Sequence, residues 1–252
     1  MRCRHQNAVG NGVEFFENAN EELGADHDIE FKQGGYLIVA ATEKEVEQFK
    51  KNVVLQNSLG IPSVYLSPKE AKEIIPHMDE TKILGATFCP RDGHLNPFHT
   101  TEAFAHAAKR LGVKFMTYTT VTGITTENGK VTGVQTDKGY ISTPIVVNAA
   151  GGYSKIIGQM AGVEVPVYAQ RHQILVTEAV EPLQGPMYMG FALNIYCQQS
   201  PHGSFIMGRG DDNEPTDLRI TSGWEFMEEM AKTCCELLQL LSKLRIVRQW
   251  AG

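Results

Sequence analysis

Apolar and polar positions alternate with two periods along this chain, and the changes of period mark its elements. Between residues 11 and 23, Val13, Phe16, Asn20 and Leu23 recur at roughly helical spacing, and Gly24 marks a stop. "GGYLIVAA", 34–41, reads as a short strand behind a glycine pair. Residues 43–59 return to the helical period, with Val46, Phe49 and Val53 on one face. Ser67-Pro68-Lys69-Glu70 is a helix start: Ser67 can cap, Pro68 suits the first turn and Glu70 stands at the capping-box position. A strand near 83–89 leads into the loop "PRDGHLNP", and Asn96-Pro97 opens a helix that Gly112 closes, with Phe104, Ala108 and Leu111 on its face.

The second half is richer in period-two alternation. "KFMTYTTVTGI", 114–124, is β-rich, and "TENGKVTGVQTDKGYIST" alternates around Asn128-Gly129, a strong hairpin signal, with a second turn at Lys138-Gly139. The apolar run Ile145-Val146-Val147 reads as a strand over 144–148, connected to that hairpin and ending in "NAAGG", and "YSKIIGQMAG" behind it reads as a helix. "VPVYAQRHQILVTE" and "NIYCQQSPHGSFIMG" are strand-like. Near the end, Trp224, Met227, Ala231, Cys234, Leu238 and Leu241 share a helical face. Helix–strand units mixed with consecutive antiparallel strands predict an α/β, mixed α+β fold: a partly parallel layer plus a second antiparallel sheet.

Composition narrows the function classes. The 252 residues are 42% hydrophobic and 21% charged with a net charge of −6, ordinary for a soluble globular protein and without the basic stripe of a nucleic-acid binder. No apolar run is long enough for a membrane span. Five cysteines without CxxC spacing argue against a structural zinc site and fit a reducing, cytoplasmic compartment. No GxSxG elbow or HExxH is present. The chemistry therefore has to come from elsewhere, and "IVVNAAGGYS" is the place to look. Small side chains where a strand meets a helix let something approach the backbone, either a neighbouring element or a ligand.

The run from "RLGVKFMTYTTVTGI" through "ENGKVTGVQTDKGYIS" to "IVVNAAGGYS" resembles the FAD-dependent oxidoreductases of the D-amino acid oxidase family, whose members include glycine oxidase, sarcosine oxidase β subunits and proline dehydrogenase-like enzymes. "DGHLNPFHTTEAF", "AGVEVPVYAQRHQILVTE" and the terminal "VRQWAG" agree in order, and "RCRHQNAVGNGVEFFENANEEL" fits a segment that follows the family's first nucleotide-binding unit. The resemblance implies a partial FAD-binding, Rossmann-like layer, formed by 1–33 and 90–165, and an antiparallel substrate-domain sheet, formed by 34–89 and 166–252. It implies FAD as cofactor, a small amine or amino acid as substrate, oxidation of its C–N bond, and either oxygen or a partner subunit as electron acceptor. The family's strand–GxGxxG–helix is not found: "GNGVEF" carries Phe15 and "GRGDDN" carries Asn213 in the third glycine's place. On the resemblance the chain reads as a piece lacking that unit and a C-terminal segment, inactive alone. The rival is a non-catalytic binding or scaffold protein that keeps the sheet without the flavin.

The same resemblance implies site residues. Ala149, Ala150, Gly151 and Gly152 would let FAD approach the backbone, and Val121 would contribute backbone contacts to adenine. Arg171 and His172 would run past the flavin ring as catalytic residues, Arg171 either beside the reduced ring or holding a substrate carboxylate. Tyr196 and Arg209 would meet the substrate. Against these stand plainer readings: a ligand-free turn at 149–152, a core valine, solvated charges at 171 and 172, a packed Tyr196 and a surface Arg209. His94 reads as a loop histidine, Asn96 as a helix cap, and Cys234-Cys235 as core. No metal is expected.

Overall fold

The computed structural model describes residues 6–252, with side chains in the first helix from Gly12 onward. In chain order the elements are α1 (Gln6–Glu22), β1 (Tyr36–Ala40), α2 (Glu43–Ser58), β2 (Val64–Leu66), α3 (Pro68–Ile74), β3 (Gly85–Cys89) and α4 (Pro97–Arg110). There follow β4 (Val121–Glu127), β5 (Lys130–Thr136), β6 (Gly139–Ser142), α5 (Ser154–Met160), β7 (Gln173–Ala179), β8 (Met187–Gly190), β9 (Ile195–Gln199), β10 (Ser204–Arg209), α6 (Trp224–Leu237) and β11 (Ile246–Ala251). They form two compact units. The larger is built from residues up to Gly112 with His172–Gly210 and Thr221–Ala251; the smaller comprises Val113–Arg171, Asp211–Ile220 and Gly252.

The larger unit is an eight-stranded mixed sheet in the order β11-β7-β10-β9-β8-β1-β3-β2, in which only β1 and β8 run parallel. The strict alternation of β7 and β9 gives the sheet two faces. On one, Leu37, Val39, Leu175, Tyr188, Cys197 and Phe205 pack with Ala71 and Ile75 from the α3 region and with Phe226, Met230 and Cys234 of α6. On the other, α2 covers only the β1–β3–β2 end, where Val46 and Phe49 meet Ile38 and Tyr65. Ile174, Val176, Met189, Tyr196 and Ile206 point to that same side, belong to none of the core clusters and stay part-exposed. A separate cluster joins α1 to α4 through Ala19, Leu23, Ile29 and Ala103. Among the described residues no helix is long and apolar enough to cross a membrane.

Helix starts follow the sequence closely. Ser67 accepts from the Glu70 amide while Glu70 accepts from the Ser67 amide, so the expected capping box forms, and Thr42 with Glu45 repeats it at α2. Asn96 caps α4 by accepting from Phe98 and His99.

The smaller unit contains the antiparallel sheet β4-β5-β6, with α5 packed on β4. Asn128 and Gly129 both take positive φ, 48° and 74°, as the hairpin demands. The mixed α/β fold, with a separate antiparallel sheet, is therefore borne out.

Five local expectations need correction. Residues 144–148 are not a strand: they join no ladder, and Ile145 and Val147 are 74% and 84% exposed. The apolar run predicted a buried strand, but a strand exists only where a neighbour completes its hydrogen bonds, and none of the described residues does so. For the same reason the β-rich stretch at 114–124 pairs only from Val121, and the run at 165–178 only from Gln173. At α6, Cys234, Leu238 and Leu241 are buried and Met227 packs on the core as expected, but Trp224 faces solvent, and Phe226, Met230 and Leu237 complete the buried face. Cys234 is core as read, whereas Cys235 is exposed.

One buried side chain holds the strand ends together. Gln199 Oε1 accepts from the Leu183 and Gln184 amides at 2.7 and 2.9 Å, and its Nε2 donates to the Glu181 and Gly203 carbonyls at 2.8 and 3.0 Å. Leucine of similar volume would leave these groups without partners. Gln199→Leu is expected to cost about 2 kcal/mol or more, read as a lower urea midpoint at unchanged slope.

Candidate functional site

The part-exposed sheet face of the larger unit carries an ordered row of side chains. Register sets Trp250 beside Ile174, Ile174 beside Gly208, Gly208 beside Tyr196, Tyr196 beside Met189 and Met189 beside Ile38. Gly208 is the residue that shapes this row. A Cβ there would lie 2.2 Å from the Tyr196 hydroxyl oxygen and 2.4 Å from its ring, so glycine leaves the space in which the Tyr196 ring lies across β10. Held there, the ring stacks on His172 with centroids 5.5 Å apart and planes 17° apart, and the hydroxyl lies 2.9 Å from His172 Nε2. Burial lowers the pKa of His172 below its ordinary value and pushes Tyr196 up to about 12. At neutral pH the pair is thus a neutral imidazole and a protonated phenol, and the phenol donates to Nε2 when the ring proton sits on Nδ1.

Arg209 does not join this pair. It follows Gly208 by one residue, so the pleat turns its side chain toward α6, where Nη1 lies 3.5 Å from Thr233 Oγ1 and 3.6 Å from a Glu229 carboxylate oxygen. His94 lies in the loop before α4; its Nε2 is buried without a hydrogen-bond partner among the described residues, and burial lowers its pKa.

In the smaller unit, Gly152 and Arg171 line one cavity of about 380 Å³ together with Tyr153, Tyr168, Asp217 and Arg219. The turn at 149–152 is open: Ala149, Gly151 and Gly152 are exposed, Gly151 has φ 53°, and no side chain caps the turn at Gly151–Tyr153 or helix α5 behind it. Its small residues are not explained by packing at Gly151, where an added Cβ would meet nothing within 4 Å, but are at Gly152, where it would come 3.0 Å from the Ala169 Cβ. Val121 is part-buried at the start of β4. Arg171 is already engaged: Nε is 2.8 Å from one oxygen of Glu214, and Nη2 donates to the other at 2.8 Å. Glu214 chiefly, through these contacts, raises the Arg171 pKa further. Gln170 adds bonds to the Asp211 and Glu214 carbonyls, so the two neighbouring residues fasten the 211–220 segment.

The structure thus gathers Gly152 with Arg171 in one unit and His172 with Tyr196 in the other, and splits the adjacent pair 171–172 between them. Sequence reasoning missed Glu214 and Gly208. Glu214 sits in the polar stretch "GDDNEPTD", which carries no sign of burial, and Gly208 reads as one more glycine until the strand register sets it opposite Tyr196.

Residues 5–252 match the family described as DAO, FAD-dependent oxidoreductase. The β subunit of sarcosine oxidase from Arthrobacter sp is 30% identical over 245 residues, which are 95% of this chain and 60% of the relative. Human mitochondrial sarcosine dehydrogenase is 37% identical over 157 residues, 60% of this chain and 17% of the relative. Among solved structures, L-proline dehydrogenase from P. horikoshii superposes with a TM-score of 0.88 at 36% identity, covering 96% of this chain and 65% of that one. The chain spans about three fifths of the length of the sarcosine oxidase β subunits it matches.

The Arg171–Glu214 pair generates a stability prediction. Glu214 is 5% exposed and Arg171 15%, so Glu214→Gln removes charge from a mostly buried partnership. The expected loss is about 2–3 kcal/mol, below that of a wholly buried pair because Arg171 keeps some solvent, measured by chemical denaturation with a probe in the smaller unit.

Proposed function

The chain belongs to the DAO family of FAD-dependent oxidoreductases, and we propose that it serves the oxidation of the C–N bond of a small amine or amino acid, with sarcosine- and proline-type secondary amines favoured. The observation that carries this reading is the neutral His172 hydrogen-bonded to Tyr196 on a part-exposed, largely apolar sheet face. An amine must lose its ammonium proton before the adjacent carbon can lose hydride, and an imidazole held neutral by burial is suited to take that proton at Nδ1, in the tautomer whose Nε2–H donates to the Tyr196 hydroxyl oxygen. Tyr196, protonated throughout the physiological range, fixes the ring orientation. Met189, Ile174 and Trp250 offer an apolar bed for the substrate's carbon skeleton. The sarcosine oxidase β subunit and proline dehydrogenase among the relatives support the secondary-amine preference.

FAD, when bound, supplies the hydride acceptor. The described residues suit part of it. The uncapped turn at Ala149, Ala150, Gly151 and Gly152, with the cavity that reaches Arg171, would hold it, and Val121 would add backbone contacts. The 252 residues contain no strand–GxGxxG–helix for its pyrophosphate. Arg171 serves here chiefly as a positioning residue, since Glu214 already holds the Nε/Nη2 edge of its guanidinium. Arg209, held by α6, is assigned to anchoring that helix. Partner subunits as electron acceptors belong to the same proposal, supported by the subunit naming of the sarcosine oxidase relatives.

Two outcomes test the reading. This chain, joined to a strand–GxGxxG–helix unit and loaded with FAD, is expected to lose its flavin absorbance anaerobically on addition of sarcosine or proline, while the 252 residues alone take up FAD weakly; no bleaching with any small amine contradicts the function. In the loaded protein, the rate of flavin reduction should fall as pH drops through the His172 pKa, which lies below the ordinary 6.5. Tyr196→Phe should slow reduction about tenfold or more and shift that limb; an unmoved pH profile would remove the pair from the chemistry.

A further inference from the structure

A second cavity, of about 390 Å³, lies in the larger unit between α1, the segment before β1 and the 92–95 loop. Val13, Phe16, Phe31 and Leu95 make it apolar, and Tyr36 and Asp92 are its polar groups. Three aromatic side chains and one carboxylate thus meet around a single space. The loop is pressed into place through Gly93: a Cβ there would lie 2.5 Å from the Lys32 carbonyl oxygen and 3.1 Å from the Phe31 ring. The Lys32 and His94 backbones exchange hydrogen bonds at 2.9 and 3.0 Å, and the Gly35 amide donates to the Asp92 carbonyl at 2.8 Å. Glycine at 93 is therefore what brings Asp92 against the aromatic wall. Phe16 and Phe31 rings sit 6.1 Å apart.

The carboxylate is the informative group. Asp92 is part-buried, and among the described residues no cation pairs with it. Burial raises its pKa, with only a hydrogen bond from Cys89 opposing, and burial together with the Asp92 charge raises Tyr36. A half-buried negative charge beside aromatic faces is an environment that a cation improves: the carboxylate gains a counter-charge and the rings gain a cation–π contact. A metal ion would need more oxygen donors than one carboxylate and a phenol. A primary ammonium would need hydrogen-bond acceptors that the phenylalanines lack. A methylated ammonium needs neither, since its charge is spread over apolar methyl groups.

We propose that the cavity lined by Phe16, Phe31, Tyr36 and Asp92 is a binding site for an alkylated ammonium group, distinct from the His172–Tyr196 pair. It requires no flavin, so it can be tested on the chain as it stands and separately from the proposed oxidation. The probe is choline, compared by titration calorimetry with 3,3-dimethyl-1-butanol, its uncharged carbon isostere, at constant ionic strength. Choline is expected to bind at least about tenfold more tightly than the isostere. Asp92→Asn, nearly isosteric, and Phe31→Leu, which removes the π face but not the apolar bulk, should each weaken choline about tenfold while thermal melting confirms that the variants fold. Equal affinity for the two probes, no choline binding up to tens of millimolar, or unchanged affinity in a folded Asp92→Asn would each overturn the assignment. Should Asp92→Asn prove unstable, the Phe31→Leu variant and the probe comparison on the unaltered chain decide the matter.

Discussion

A β-sheet has two faces, and the account depends on how differently this chain treats them. Eight strands bury one face under α3 and α6, with Leu37, Leu175, Tyr188 and Phe205 at its centre. The burial of those side chains supplies most of the unit's stability, at roughly 25 cal/mol per Å² of apolar surface. Among the described residues, α2 covers the opposite face at one end only. Because side chains alternate strictly, securing the first face fixes what the second presents: Ile174, Met189, Tyr196 and the gap at Gly208 follow from the register that buries Leu175, Cys197 and Met207. The candidate chemistry is a by-product of core packing, placed by the same hydrogen bonds.

The two titratable groups on that face gain their character from the same arrangement. Gly208 gives the Tyr196 ring its room, the ring shields His172, and the shielding keeps the imidazole neutral. Nothing comparable happens at Arg171, one residue away. There the chain leaves the sheet, and the guanidinium is taken up by Glu214 to fasten the 211–220 segment. Two adjacent residues that read alike as charged strand starts thus end in different settings, one as a shielded imidazole stacked on Tyr196 and one as a fastening to Glu214.

How far the sequence made this visible depends on whether a feature is local. The capping box at Ser67, the cap at Asn96 and the hairpin at Asn128-Gly129 form as read, because each involves residues within three or four positions. The mixed fold and the flavoenzyme family were legible from several motifs in order. Non-local facts were not. Ile145-Val146-Val147 has the composition of a buried strand, but composition cannot say whether a neighbouring strand is there to pair with it. At α6, Cys234, Leu238 and Leu241 are buried as their spacing implies, but spacing does not show that Trp224 faces solvent and that Phe226 meets the sheet. Tyr196 was singled out as a site residue, but its partner and its gap at Gly208 lie 24 and 12 positions away and appear only in the register.

The most direct test of the central claim is the crystal structure of the FAD-loaded protein with (methylthio)acetate, in which sulfur replaces the amine nitrogen of sarcosine and no C–N bond can be oxidised. The account predicts the analogue on the part-exposed sheet face, against Met189 and Ile174, with a polar atom within hydrogen-bond distance of Tyr196 or His172. Analogue bound elsewhere, with the Tyr196–His172 pair untouched, would contradict it.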